Sequence, residues 1–434
     1  MNKYTTALTD QREEILGMDI SALCPRPEEA EIDLASPLAQ IVIGMRRCGK
    51  STLCQKVLVQ SGVTFAYVNF DDERLRDVTA DDLNDILREL YTIYGNFTHL
   101  LLDEIQNVEA WPLFVNRLLR QRLHIVMTGS NANLLSSELV THMTGRYHQV
   151  ELYPFSFAEY CTYRGIAPSS PSTKAIGLRE RALLDYLHTG GLPELLHSPG
   201  GQAKGYVQSL LRAIVEKDIC RRYNLRYKQT IYQLANQMLD WYGQEKSFRS
   251  IADELQIKSV HTVRNYLSYL ENAYLLRPFT RYSFKSSERS AQRKCYAIDQ
   301  AFISERDHTL QTEGLGWRLE NAVAIELCRR IEYDTQEIFY LRDGRNYEVD
   351  FAVVERSRIV ELIQVTYDFS APSTRLYNRE IGGLLKAAAA TRCERLTLIM
   401  MSGETGDLHV DGHTIRRILA PEWFLRQASL NAER

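Results

Sequence analysis

The sequence predicts an α/β protein of several domains, and three observations carry that reading. An apolar run, Gln40 to Ile43, meets a glycine-rich turn and then a helical stretch from Thr52 to Val59. A second apolar run, "HLLLDEIQNV" from His99 to Val108, ends in an acid pair. Beyond Gly316 a helix, a hairpin and a further strand follow one another. At roughly 150 residues per domain, a chain of 434 holds two or three, each large enough to bury a core.

Composition excludes more than it selects. The net charge is −3, so whole-chain electrostatics do not point to nucleic acid, and any basic surface is local. The eight cysteines, at 24, 48, 54, 161, 220, 295, 328 and 393, form no CxxC pair; reduced core thiols in a cytoplasmic protein are expected. The start, "MNKYTTALTDQREEILGMDI", carries acids and lacks the apolar centre of a signal peptide. No stretch of ~18 apolar residues occurs, so no membrane partner is expected.

The first element is the turn itself. Gly44, Met45, Arg46, Arg47, Cys48, Gly49, Lys50 and Ser51 fit G-x-x-x-x-G-K-[ST]. The pattern also recurs by chance, so its context between a buried strand and a helix has to decide. Glycines let the backbone N–H groups face one point, and the helix N-terminus adds partial positive charge there. Lys50 is expected on the β- and γ-phosphates of ATP, and Ser51 on Mg²⁺. The bland alternative is a strand-turn-helix with a basic loop and no ligand.

The acid pair follows. Asp103 would support Mg²⁺ through water, and Glu104 would orient or deprotonate the attacking water; alone, Asp-Glu could equally cap a helix. A third strand, "HIVMTGSN" from His124 to Asn131, is expected between the loop strand and the acid strand. Its tip would offer Ser130 or Asn131 to the γ-phosphate or the water, or form an ordinary turn. Arg146 stands just before a strand, Tyr147 to Leu152; it would reach a nucleotide on a neighbouring subunit or remain a surface arginine.

With these motifs in order, and with "GRYHQVELYPFSFAEY" and "GGLPELL" after them, the chain resembles one family from about Leu34 to Trp423. It is the AAA-type P-loop ATPases of bacteria and archaea that carry a characteristic C-terminal domain of unknown function. The resemblance implies that Gly44, Gly49, Lys50, Ser51 and Thr52 form the Walker A loop, and that Asp103 and Glu104 form Walker B. It implies a sensor position at Ser130 and Asn131, and an arginine acting on a neighbour's site at Arg146. Gly191 and Pro193 resemble the Gly-x-Pro element that touches nucleotide in related signal-transduction ATPases; a plain turn opening a helix is the alternative.

Ile214 to Tyr223 interleaves apolar residues with both charge signs and is expected as a solvated helix face. Then Ser247 to Leu255 reads as a helix with an N-cap serine, "QIKS" as a turn, and Val260 to Ala273 as a second helix before strand-like "YLLRPFTRYSF". That is the plan of a helix-turn-helix with a wing. Lys258, Ser259, His261, Thr262, Arg264 and Asn265 open the second helix and could reach DNA. Lys285, Arg289, Arg293 and Lys294 add a local basic cluster. A wing used only for protein contacts is the alternative.

The last third opens with a helix, Gly316 to Arg330, that carries Glu320. A hairpin around Asp343-Gly344 and the strand "RIVELIQVTYD" follow. This resembles the PD-(D/E)XK nuclease core, in which an Asp and a Glu hold Mg²⁺ and a Lys two residues on steadies water. Asp350 fits the first acid, but Gln364-Val365-Thr366 stands where Glu-x-Lys is expected. Glu361 sits at an odd offset on the strand and faces away. Loss of nuclease activity is therefore expected, with Glu320 and Asp350 as buried scaffold.

The expected layout is a P-loop ATPase core over 1–165, a helical lid over 166–225, a winged helix over 226–284 and a nuclease-like domain over 285–434. The expected function is Mg²⁺-dependent ATP hydrolysis coupled to those modules, acting on DNA. A slow nucleotide switch that grips a protein partner and an ATP-gated nuclease are the alternatives. An arginine that works on a neighbour's site also implies a homo-oligomer.

Overall fold

The computed structural model describes residues 3–130, 143–197, 203–283, 292–304, 313–331, 335–344 and 346–432. They form two compact units: residues 1–154 with 272–274, and the remainder. Among the described residues, no helix is long and apolar enough to cross a membrane.

In the first unit, α1 (Thr5–Leu16) precedes an alternation of strands and helices. These are β1 (Ala39–Gly44), α2 (Lys50–Ser61), β2 (Phe65–Asn69), α3 (Leu83–Tyr94), β3 (His99–Asp103), α4 (Trp111–Arg120), β4 (His124–Gly129) and β5 (Tyr147–Leu152). The strands pair in parallel in the order β2-β3-β4-β1-β5. Both faces of such a sheet are covered, which is why β1 and β3 are buried along their whole length and read as continuous apolar runs. Val42, Leu101, Val126 and Val150 share one core with Leu53 and Leu58 of α2. As expected, β4 lies between the acid strand and the loop strand. The carboxyl ends of β1, β3 and β4 therefore open side by side.

The second unit begins with α5 (Phe157–Tyr163), α6 (Thr173–Thr189), α7 (Pro193–His197) and α8 (Ala203–Ala213). Gly190 and Gly191 join α6 to α7 at close quarters. The Gly191 N–H donates to Asp299 at 2.7 Å, and a Cβ on Gly191 would lie 2.1 Å from the Phe155 carbonyl oxygen. A π-helical stretch, Ile214–Arg221, follows. Its Ile214, Val215, Asp218, Ile219 and Cys220 are buried, so the stretch expected as a solvated face, Ile214 to Tyr223, exposes Glu216, Lys217, Arg221 and Arg222 and buries its other side.

Next come α9 (Lys228–Asp240), β6 (Glu245–Ser247), α10 (Phe248–Glu254), α11 (Val260–Asn272), β7 (Leu276–Arg281) and β8 (Gln292–Ala297). Ser247 caps α10, its side chain accepting from the Ser250 N–H at 3.0 Å. Strands β6 and β7 flank β8, both antiparallel to it. Lys285 and Arg289 lie outside the described residues.

After α12 (Gln300–Ser304) and α13 (Glu313–Arg330), the chain forms β9 (Gln336–Asp343), β10 (Tyr347–Glu355), β11 (Arg358–Phe369), α14 (Thr374–Thr391), β12 (Leu396–Gly403), β13 (Gly406–Val410), β14 (His413–Leu419) and α15 (Ala420–Ala432). Strand β7 also pairs in parallel with β9, so the strands of this unit make one nine-stranded sheet among the described residues, in the order β13-β14-β12-β11-β10-β9-β7-β8-β6. Val349, Ala352, Leu362, Leu398 and Ile415 of the sheet pack with Ile381, Leu384 and Ala387 of α14.

Candidate functional site

The turn between β1 and α2 is built by backbone freedom at two glycines. Gly49 has φ +98° and is the N-cap of α2. Gly44 has φ +153°, and a Cβ there would lie 2.1 Å from the Leu152 carbonyl oxygen, so the loop leaves β1 pressed against β5. Met45 and Cys48 are fully buried and anchor the turn from inside. The Cys48 thiol donates to the Leu152 carbonyl at 3.4 Å, and burial pushes its pKa up. Arg47 has φ +66° and is exposed, whereas Arg46 reaches Asp71 at 3.2 Å. Arg26 fastens the loop from below, donating to the carbonyls of Cys48 at 3.3 Å and Tyr153 at 2.8 Å.

Lys50 is buried in the first turn of α2. Its Nζ donates to the Met45 carbonyl at 2.9 Å and lies 4.0 Å from Glu104 Oε1. Next to it, Ser51 Oγ donates to Asp103 Oδ1 at 2.9 Å. The other Asp103 oxygen accepts from the Tyr67 hydroxyl at 3.1 Å, and Thr128 Oγ1 also donates to Asp103. Burial beside this carboxylate pushes the Tyr67 hydroxyl pKa well up, so the phenol stays a proton donor. Thr128 Oγ1 in turn accepts the Glu104 N–H at 3.1 Å. Glu104 has φ +52°, leaves β3 in the left-handed region and accepts from Gln106. The arrangement thus brings an ammonium, a hydroxyl and two carboxylates to the rim of one glycine loop. A hydroxyl with a carboxylate is the donor set of a hard divalent cation, and a helix N-terminus with an ammonium is that of a phosphate. The residues present fit Mg²⁺ and a nucleotide triphosphate.

The other expected residues are placed less closely. Ser130 is buried at the end of β4, and Asn131 lies outside the described residues. Arg146 is exposed, and its guanidinium donates to Asn116 at 3.2 Å. Thr52 lies in the first turn of α2. Gly191 and Pro193 belong to the second unit, where Gly191 has the local packing reason given above. Thr128 and Tyr67 are the site residues that motif reading misses. Both follow only from the strand order, which puts β2 and β4 on either side of Asp103.

In the second unit, the start of α11 exposes Lys258, Ser259, His261 and Arg264, with Thr262 and Asn265 half-buried. Arg264 and Arg293 both lie over the Phe248 ring, at 5.1 and 4.5 Å from its centroid. Lys294 corrects the expected basic cluster. It is 4% exposed and faces Glu320, Glu348 and Asp350 rather than solvent. One residue along β8 reverses the face, so Arg293 and Lys294 cannot share a surface. Glu361 accepts from Thr397 at 2.7 Å.

Comparison with known proteins gives a consistent picture. The AAA domain family AAA_14 matches residues 36–161, and a domain of unknown function, DUF8612, matches residues 180–307. The chain is 31% identical over 380 residues to an uncharacterized protein (MJ1544) of Methanocaldococcus jannaschii, covering 85% of this chain and 83% of that one. It is 30% identical over 306 residues to an uncharacterized protein of Haemophilus influenzae, covering 67% of this chain and 74% of that one. The solved structure of AMPPCP-bound DnaA from Aquifex aeolicus overlays 56% of this chain and 85% of that one at 15% identity, with a TM-score of 0.29, too low to carry an argument about function.

Proposed function

The chain belongs to the family of these M. jannaschii and H. influenzae proteins and carries an AAA domain, and on that premise we propose that it is a Mg²⁺-dependent ATPase. The observation that carries the reading is the meeting of Lys50, Ser51, Asp103 and Glu104 at the open ends of β1 and β3. Lys50 would leave the Met45 carbonyl for the β- and γ-phosphate oxygens. The loop N–H groups from Gly44 to Thr52, including those of Met45, Arg46, Arg47, Cys48 and Gly49, would face the same phosphates. Ser51 and Asp103 would hold a magnesium ion, which supplies charge neutralisation on the phosphate oxygens. Glu104 would take the proton of the attacking water, while Ser130 and Asn131 would address the γ-phosphate from the end of β4. Arg146 is exposed, as a group acting on a second copy's site must be.

The order helix, strand, helix, helix, strand, strand from α9 to β8 supports a winged helix. The exposed Lys258, His261 and Arg264 on α11 support DNA as its partner, with Thr262 beside them. All eight cysteines are free, which supports a reducing, cytoplasmic location. The test is steady-state ATP turnover with and without duplex DNA, beside a Lys258→Ala/Arg264→Ala variant. Turnover should rise with DNA in the wild type only. Turnover that DNA leaves unmoved would overturn the DNA partner and favour a switch acting on a protein.

A further inference from the structure

We propose that the turn between the π-helical stretch and α9, residues 221–228, is a docking surface for a single strand of DNA, with Tyr227 as the ring on which a base stacks. The turn lies wholly in the second unit and shares no residue with the nucleotide loop. In taking DNA as the polymer, the assignment rests on the reading of α11 given above.

Charge is the first observation. The chain carries −3 overall, yet Lys217, Arg221, Arg222, Arg226 and Lys228 stand close together against one acid within their span, Asp218, which is buried. Glu216 is exposed just ahead of them. Arg221, Arg222, Arg226 and Lys228 are all exposed, and among the described residues no carboxylate is paired with any of the four. Other arginines of this unit are paired, as Arg330 is with Glu326 at 3.0 Å. Unpaired cations gathered on one short turn suit a polyanion.

The turn is also preformed. The Tyr223 N–H donates to the Ile219 carbonyl at 2.9 Å, and the Leu225 N–H donates to the Cys220 carbonyl at 2.9 Å. Asn224 takes the left-handed φ of +48° that closes a helix end. Tyr223 stacks on Tyr269 of α11, with centroids 3.7 Å and planes 16° apart, and Tyr266 lies 6.1 Å from Tyr269. Backbone bonds and the ring stack fix the turn before a ligand arrives, so little ordering entropy opposes binding.

The exposed ring selects the ligand. Tyr227 is 73% exposed and, as the residue preceding α9, makes no side-chain cap bond. A single strand offers base faces that stack on such a ring, while cations beside it meet the phosphates. A duplex keeps its base faces covered, and an acidic peptide supplies charge without a run of flat faces. The helix beneath links the turn to DNA. His261, Asn265 and Tyr269 stand four residues apart on one side of α11, about 12 Å from first to last. The platform therefore continues the face whose start exposes Lys258 and His261. DNA that is unpaired beyond a duplex seated at the start of α11 would meet Tyr227.

The experiment is fluorescence anisotropy with the full chain, without nucleotide. The probes are a labelled oligothymidine, an oligouridine of equal length and a duplex, in separate arms. Wild type should bind oligothymidine. Tyr227→Ala should weaken that binding roughly 5- to 150-fold, and Tyr227→Phe, which keeps the ring, should bind as wild type does. Arg222→Ala/Arg226→Ala should make log affinity against log salt shallower by about 1.4, two phosphate contacts at about 0.7 each. All three positions are on the surface or half-turns of it that carry no packing, so the variants should fold; matching unfolding midpoints check this. The duplex arm reads α11 separately: a duplex that does not bind, with oligothymidine still held through Tyr227, would sink the reading of α11 and keep the platform. Five results would overturn the proposal: no binding of oligothymidine, equal binding by Tyr227→Ala, an unchanged salt slope, tighter binding of oligouridine, or displacement by polyglutamate as readily as by unlabelled oligothymidine.

Discussion

Glu104→Gln is expected to slow ATP turnover by about 10²–10⁴-fold while leaving nucleotide bound. The variant keeps the shape of the side chain and removes its ability to take a proton. Its position should hold, because the backbone sets it: the Glu104 N–H is tied to Thr128 Oγ1 at 3.1 Å, and φ at 104 is +52°. The 4.0 Å approach of Lys50 to Glu104 is too long to anchor the lysine, which rests on the Met45 carbonyl at 2.9 Å. Binding should therefore survive. Phosphate release against filter-retained nucleotide separates the two effects, and a variant with wild-type turnover would remove Glu104 from the reaction.

Gly191→Ala should cost the fold more than about 4 kcal/mol. The added Cβ would sit 2.1 Å from the Phe155 carbonyl oxygen, and both groups are backbone, so neither can rotate away. The contact is also a hydrogen bond, because the Phe155 N–H donates to the Gly191 carbonyl at 2.8 Å. Asp299 adds a second tie, accepting from Gly191 at 2.7 Å and from Ala301 at 2.9 Å. Buried completely, its carboxyl pKa is pushed up to about 6. Gly205→Ala is the control: nothing lies within 4 Å of that position on α8. It should gain about 0.5–1 kcal/mol as alanine replaces glycine in a helix. Denaturant unfolding of the two variants checks the pair, and equal midpoints would show that the Phe155 contact yields.

What could be read from sequence was whatever a short stretch decides for itself. The loop from Gly44 to Ser51, the acid pair at 103 and 104, and the Ser247 cap each depend on neighbours a few residues away. Strand order was partly legible, because small polar residues ending "HIVMTGSN" suit a strand set beside the loop. Thr128 and Tyr67 were not legible, since their meeting with Asp103 is made by three strands far apart in the chain. Lys294 misleads for a different reason. In the sequence it extends a run of basic residues, but strand alternation turns it toward Glu320 and Asp350 while Arg293, on the other face, lies over the Phe248 ring.

The central claim is that the loop before α2 holds a magnesium nucleotide through Lys50. It is tested most directly by titrating a fluorescent ATP analogue into the full chain, with Mg²⁺ or with chelator, beside Lys50→Ala. Saturable binding by the wild type that weakens without Mg²⁺ and disappears in Lys50→Ala is the predicted result. No binding by the wild type, or equal binding by Lys50→Ala, would contradict it.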